Sequence, residues 1–208
     1  MTYNPKIHHR RSLRLKGYDY SQSGAYFITI CCQNRTHLFG QVRDGEMVLN
    51  EAGQMIERWY YELEHKFCDI KIGEFVVMPN HFHGIIINNG NGNPHMKKIV
   101  TVAVSTLIPA SAIGADLRVC PIISDEHIIL GEHVGSPLSA AVQWFKTMTT
   151  NEYIRGVKTR GWQPFDKKIW QRNYYEIIIR NEWSYENISN YILNNPSKWE
   201  ADTFHPKK

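Results

Sequence analysis

Two strand-like apolar runs meet at a proline turn near the middle of the chain, and no other segment limits the fold so strongly. Phe75-Val76-Val77-Met78 leads into Pro79-Asn80, and His81-Phe82-His83-Gly84-Ile85-Ile86-Ile87 follows. β-Branched and aromatic residues suit a pleated, half-buried surface, and proline removes a backbone donor at the turn. Ile70 to Met78 and His81 to Ile87 are therefore expected to pair as antiparallel strands. Side chains of a strand alternate, so His81 and His83 share one face while Phe82 enters the opposite layer. Two imidazoles on one face hold a divalent metal if a further ligand arrives from elsewhere. The pair is equally consistent with two solvated histidines beside a turn, because by itself it names neither metal nor reaction.

The remaining elements follow from local pattern. Ala25 to Cys32 reads as a buried strand, and Gly40 to Leu49 as a short hairpin around Asp44-Gly45. Ala52, Met55, Ile56, Trp59 and Leu63 recur at helical spacing behind Asn50, a natural N-cap. Ser136-Pro137 opens a second helix with Leu138, Ala141, Val142, Phe145 and Met148 as its apolar stripe, and Gly156 is expected to close it. Ile169 to Ile179 is expected to be a last strand, and Ser184 to cap a helix ending near Pro196. The order is strand, helix, strand, strand, helix, strand and one further helix. It predicts an α+β fold, a ferredoxin-like antiparallel sheet with helices packed on it.

A chain of 208 residues suits one domain with a long insertion. The domain is expected to span residues 1–208. The insertion, at about residues 89–135, opens with the breaker cluster Asn88-Asn89-Gly90-Asn91-Gly92-Asn93-Pro94.

A formal net charge of +4 and a pI near 8.8 allow a polyanion partner without requiring one. Distribution says more. Arg10, Arg11, Arg14 and Lys16 crowd the N-terminus, and Lys146, Arg155, Lys158, Arg160, Lys167, Lys168 and Arg172 crowd the later chain. Aromatic residues lie among them, including Trp144 and Tyr174. Cations neutralise phosphates and rings stack on unpaired bases, a combination suited to single strands and loops. A basic face over a Trp-rich core has the same composition.

Cys31, Cys32, Cys68 and Cys120 form no C-x-x-C pair, which argues against a zinc knuckle. Met1 to Lys6 has no apolar segment behind it, and the uncharged stretch from Ile99 to Ala115 is too polar and short to span a bilayer. A reduced, cytoplasmic protein without a membrane partner is expected.

Near the C-terminus, Tyr191 and Asn195 stand at i and i+4, on one face of the expected helix. If that face abuts the histidine strand, the Asn195 carboxamide oxygen completes a three-residue metal site beside the Tyr191 hydroxyl. The alternative is structural. Tyr185, Ile188 and Ile192 form an apolar stripe that Tyr191 borders, and Asn195 before Pro196 serves equally as a terminator.

Val76-Val77-Met78-Pro79-Asn80-His81-Phe82-His83 resembles the histidine motif of the HUH superfamily of single-tyrosine transposases. Three further segments resemble its REP-associated tyrosine transposases: Trp144 to Asn151, Trp170 to Glu176, and Tyr191-Ile192-Leu193-Asn194-Asn195-Pro196. Arg14 to Tyr20 is similar as well. The likeness covers about four fifths of the chain and leaves out mainly the insertion.

The resemblance implies a nuclease core with a tyrosine-bearing C-terminal helix and a divalent metal, Mg2+ or Mn2+. Carried over by position, Tyr191 is the catalytic nucleophile, and His81, His83 and Asn195 are metal ligands. The expected activity is cleavage and rejoining of single-stranded DNA at hairpin-associated sites through a 5′-phosphotyrosine. Lys146, Arg155 and Arg172 are the candidates for DNA backbone contacts, and Trp144 and Tyr174 for stacking. Single-stranded or hairpin DNA is the expected partner, and a homodimer is compatible with the family. Two departures stand out. The superfamily often places glutamine where Asn195 stands, and Ile177 occupies a position where relatives commonly carry histidine.

Three other readings remain open at this level. One is a catalytically silent, sequence-specific DNA-binding protein derived from such a transposase. Another is a hydrolase whose histidine-held metal activates water, and the third is an RNA-binding module.

Overall fold

The order β-α-β-β-α-β is realised as two interleaved crossovers. The computed structural model describes residues 18–20, 22–90 and 136–205. The expected N-terminal basic cluster, Cys120 and residues 91–135 of the expected insertion lie outside the described residues. Strand β1 (Gly24–Cys31) is followed by a hairpin of β2 (Gly40–Arg43) and β3 (Glu46–Leu49), helix α1 (Glu51–Lys66), β4 (Ile70–Met78) and β5 (His81–Asn88). Helix α2 (Pro137–Arg160), β6 (Tyr175–Ile179) and α3 (Glu182–Leu193) complete the order. The main sheet runs β4-β5-β1-β6 with every neighbouring pair antiparallel. This is the expected α+β architecture: β5 lies between β1 and β4, and β1 lies between β5 and β6.

Strand alternation divides the core into two layers. Tyr26, Ile28 and Ile30 of β1 with Phe82 and Ile86 of β5 pack on one side, against Met55, Ile56, Tyr60 and Leu63 of α1 and Leu138, Ala141, Val142 and Phe145 of α2. Ala25, Phe27, Ile85, Ile87 and Ile179 point the other way, toward Tyr185 and Ile192 of α3. Phe82 is fully buried in the first layer, which leaves His81 and His83 on the α3 side. A buried phenylalanine of this kind is worth roughly 1.5–3 kcal/mol, enough to fix which way the β5 pleat faces.

Local chemistry accounts for the helix starts. The Asn50 side chain accepts from Gly53 N at 2.9 Å, a cap worth about 1 kcal/mol. Ser136 caps α2 with Pro137 at its first position, as the sequence implies. Asp44 and Gly45 both take positive φ, 51° and 79°, in the turn between β2 and β3.

Three boundaries differ from expectation. Helix α2 runs past Gly156 to Arg160 and ends at Gly161, whose φ of 69° makes the left-handed cap. Gly156 is a packing glycine instead, because a Cβ there would overlap the Trp162 ring. The last strand covers only Tyr175–Ile179. Upstream, Trp170 makes an isolated bridge to Cys32, flanked by the backbone bonds Gln33 N to Ile169 O and Gln171 N to Cys31 O, and no continuous ladder joins it to β6. Asn181, not Ser184, caps α3: its side chain accepts from Ser184 N at 2.8 Å.

Candidate active site

The register of β5 on β1 sets Thr29 opposite His83 and Cys31 opposite His81. Thr29 Oγ1 lies 2.8 Å from His83 Nδ1, and Phe27 stacks on the His83 ring at 5.2 Å. The two imidazole centroids are 4.5 Å apart. Thus the pair converges as strand alternation requires.

The neighbours of His81 determine its tautomer. Asn80 Nδ2 donates to the backbone oxygens of Phe204 at 2.9 Å and Arg35 at 3.3 Å. Its Oδ1 therefore faces His81 Nδ1, 2.8 Å away, and that nitrogen must carry the proton. Nε2 is left as a buried lone pair with no partner among the described residues. Burial, followed by the nearby Arg35 and His37, pushes the His81 pKa down to about 3. His83 is pushed down chiefly by burial, then by His81, while Asp202 opposes the shift. Both rings are neutral at neutral pH, the form that binds metals.

Helix α3 supplies the tyrosine. Its buried stripe of Tyr185, Ser189 and Ile192 turns Tyr191 toward the histidines. The phenol oxygen lies 3.4 Å from His83 Nε2, and the ring meets Phe27 edge-on at 6.0 Å. Burial and then Asp202 hold the phenol above its usual pKa of 10.0, against an opposing hydrogen bond from Asn195. Tyr191 remains 44% exposed, so solvent reaches it.

Asn195 is helical, with φ −61° and ψ −43°, although Pro196 follows. The departure from the usual pre-proline geometry carries the chain from α3 directly into a 3-10 helix, Pro196–Ala201. The Asn195 side chain is 2% exposed, donates from Nδ2 to Asp202 Oδ2 at 3.1 Å, and leaves Oδ1 without a partner among the described residues.

Asp202 is the residue that sequence reasoning missed. A carboxylate oxygen of Asp202 and one nitrogen each from His81 and His83 lie within 4.8 Å of one another. No periodicity marks Asp202, because it follows the 3-10 turn in irregular chain. The segment around it is tied down at both ends of the site: Arg35 Nη1 donates to Thr203 O at 2.9 Å, and Phe204 N donates to Asp202 Oδ1 at 2.6 Å. The Phe204 ring lies 4.7 Å from His81 and 6.0 Å from His83. It helps hold His81 at 0% exposure.

The donor set fits a divalent ion. Two neutral imidazoles and a carboxylate converge, Asn195 is bonded to that carboxylate through Nδ2, and among the described residues His81 Nε2 and Asn195 Oδ1 are buried without partners. Each orphan of that kind costs about 1–3 kcal/mol unless something satisfies it. Ligands of mixed nitrogen and oxygen suit manganese well and accommodate magnesium.

The five candidate DNA-contacting residues separate. Lys146, Arg172 and Tyr174 line one cavity of about 570 Å3, between α2 and residues 167–174, together with Lys167, Lys168, Gln143 and Asn151. Lys146 Nζ donates to Gln171 O at 2.7 Å and Arg172 O at 3.1 Å, and burial, then Lys168, pushes its pKa down to about 8. Arg155 is exposed on α2 outside this cavity. Trp144 packs edge-on to Trp59 at 5.4 Å and to Phe67 at 6.0 Å, on the side of the sheet away from the histidines. Ile177 is opposite Phe27 on the histidine-bearing face and 56% exposed, so a histidine there would face the same side.

No protein-family model matches the chain. An uncharacterized protein of Haemophilus influenzae is 37% identical over 203 residues, covering 98% of this chain and 97% of that protein. Among solved structures, a REP-associated tyrosine transposase bound to a REP hairpin aligns with a TM-score of 0.48 and 18% identity, over 89% of this chain and 74% of the other. A Deinococcus radiodurans R1 protein provisionally assigned as a transposase aligns at 0.40 and 12%, over 87% and 95%.

Proposed function

Belonging to the same family as the Haemophilus influenzae protein, the chain is, we propose, a metal-dependent single-stranded DNA transposase or endonuclease that cleaves and rejoins hairpin-associated sites through a 5′-phosphotyrosine. The observation that carries this reading is the Tyr191 hydroxyl beside a histidine pair that Asp202 joins, with Asn195 bonded to Asp202. The motif resemblance supports it independently.

His81, His83 and Asp202 would hold the divalent ion, Mg2+ or Mn2+, with the Asn195 amide oxygen as a further donor. The chemistry such an ion supplies when bound is neutralisation of charge on the nonbridging phosphate oxygens. The protein's own groups do the rest. Asn80 and Thr29 orient the two imidazoles. Phe27 and the buried face of α3 set the position of the Tyr191 ring. Tyr191 Oη attacks phosphorus, the bond to the 3′-oxygen breaks, the phenol proton passes to solvent and the leaving oxygen becomes a 3′-hydroxyl. The new phosphodiester conserves the bond free energy, so attack by a second 3′-hydroxyl rejoins strands and releases Tyr191.

Lys146, Arg172 and Tyr174 share a cavity whose lining, among the described residues, has four cations and no carboxylate, which favours contact with a DNA backbone there. Arg155 is proposed as a peripheral phosphate contact. Trp144, packed against Trp59 and Phe67 on the far side of the sheet from the histidines, is a weaker stacking partner than Tyr174.

The test is a labelled hairpin oligonucleotide incubated with purified protein and Mn2+. A denaturation-resistant adduct that disappears in Tyr191→Phe is expected. Retained binding with no adduct across hairpins and metals would favour the silent DNA-binding protein, a reading that the closure of Phe204 over His81 also supports. Free 5′-phosphate ends and an active Tyr191→Phe variant would point to the hydrolase.

A further inference from the structure

Helix α3 has only 12 residues, short enough that its position must come from tertiary contacts. Its apolar contacts through Tyr185, Ile188 and Ile192 are non-directional and leave its rotation about its own axis loosely defined. With side chains, an α-helix has a radius of about 5–6 Å, so each 10° of rotation moves a side-chain tip by roughly 1 Å. A displacement of about 1 Å is enough to cost on the order of a hundredfold in rate. A tyrosine nucleophile on such a helix needs a directional anchor.

Strand β4 provides one through an irregularity. Its register on β5 shifts between Ile72 and Phe75. Before the shift, Ile70 and Ile72 face the α1/α2 layer, and after it Phe75 and Val77 do. Uninterrupted alternation would have sent Glu74 into that apolar layer. The bulge turns Glu74 to the α3 side, as bulges re-aim side chains elsewhere. There its Oε2 accepts two hydrogen bonds from successive turns of α3, from Tyr185 Oη at 2.7 Å and Ser189 Oγ at 3.0 Å. The preceding residue, Gly73, leaves room for this approach: a Cβ there would stand 2.7 Å from the Tyr185 hydroxyl. Burial and the Glu74 contact both hold the Tyr185 phenol in its protonated, donating form. Two donors at i and i+4 on one oxygen fix both the rotation and the axial position of the helix. Tyr191 follows Ser189 by two residues.

We propose that Glu74 is the positioning residue for the nucleophile: the β4 bulge presents its carboxylate to Tyr185 and Ser189 so that α3 holds Tyr191 against His83 of its own chain. This rests on the assignment of Tyr191 above. Glu74 touches neither substrate nor reacting atoms and acts only through α3.

The test compares full-length Glu74→Ala, Glu74→Gln and Tyr185→Phe/Ser189→Ala with wild type. Single-turnover adduct formation on a labelled hairpin with Mn2+ is read alongside hairpin Kd and backbone hydrogen exchange over residues 182–193. Expected is a 10- to 100-fold fall in adduct rate for Glu74→Ala, with hairpin Kd unchanged and faster exchange confined to α3. Glu74→Gln, whose amide oxygen still accepts both bonds, recovers most of the rate and protection. Adding the Tyr185/Ser189 changes to Glu74→Ala causes no further fall. Wild-type rate and α3 protection in Glu74→Ala would overturn the proposal. So would an equal loss in Glu74→Gln with protection intact, because the charge rather than the clamp would then matter. Exchange needs no DNA, so it still tests the clamp if wild type forms no adduct, an outcome that counts against the transposase reading alone.

Discussion

Tyr191 Oη and His83 Nε2 lie 3.4 Å apart on one chain, although 108 residues separate them in sequence. A partner subunit is therefore unnecessary to bring the tyrosine to the histidine pair. The contact depends on two independent placements: β5 against β1, and α3 against β4.

Asp202 and Asn195 are the two oxygen donors proposed beside the histidine pair, and Mn2+ titration calorimetry ranks them. Asp202→Ala is expected to weaken Mn2+ binding about tenfold more than Asn195→Ala, roughly 1.4 kcal/mol, because only Asp202 offers a full negative charge. Equal losses would rank the amide with the carboxylate.

Asn80→Ala should lower Mn2+ affinity by roughly 10–100-fold without touching a ligand atom, since it removes the acceptor that sets the His81 tautomer. It also frees the backbone oxygen of Phe204, so thermal unfolding should show a loss of about 1–3 kcal/mol. Unaltered Mn2+ affinity would refute the tautomer argument.

Gly156→Ala forces a methyl into the Trp162 ring and should destabilise the fold by about 1–3 kcal/mol, measured as a lower urea midpoint. A neutral or stabilising effect, ordinary for glycine to alanine in a helix, would show that the Trp162 contact is readily rearranged.

Lys146 gives a pH-dependent signature. Its pKa falls from the usual 10.5 to about 8 on folding, mainly through burial. Below pH 8 both states hold the proton and the burial penalty is present in full. Between 8 and 10.5 the unfolded state binds more protons, so this group's contribution to stability rises with pH. The difference in urea midpoint between wild type and Lys146→Met should accordingly increase across that interval. A flat difference would show that the amine is solvated in the folded state.

Much of the site was legible locally. The alternation of β5 put His81 and His83 together with Phe82 opposed, and the i, i+4 spacing gave Tyr191 and Asn195 a common face. Local signals failed where non-local packing set the outcome. Gly156 has the sequence signature of a helix end, yet α2 continues because Trp162 folds back onto the bare backbone. Trp170 sits in a strand-like run, but its indole donates to Thr149 and its backbone bridges only Cys32. Asp202 lies outside any periodic element, so nothing local marked its place beside the histidines.

The sequence by itself determined the periods: which residues of β1 and β5 share a face, which form each helix's apolar stripe, and where α1 and α2 begin. Those follow from backbone geometry that neighbouring residues control. Only the tertiary structure decided which stripe meets which face, because that choice depends on contacts between segments far apart in the chain. The β4 bulge turned Glu74 toward α3, the clamp brought Tyr191 to His83, and the fold of residues 196–205 delivered Asp202 and Phe204 to the histidines. Each of these is a long-range contact, and no local period encodes it.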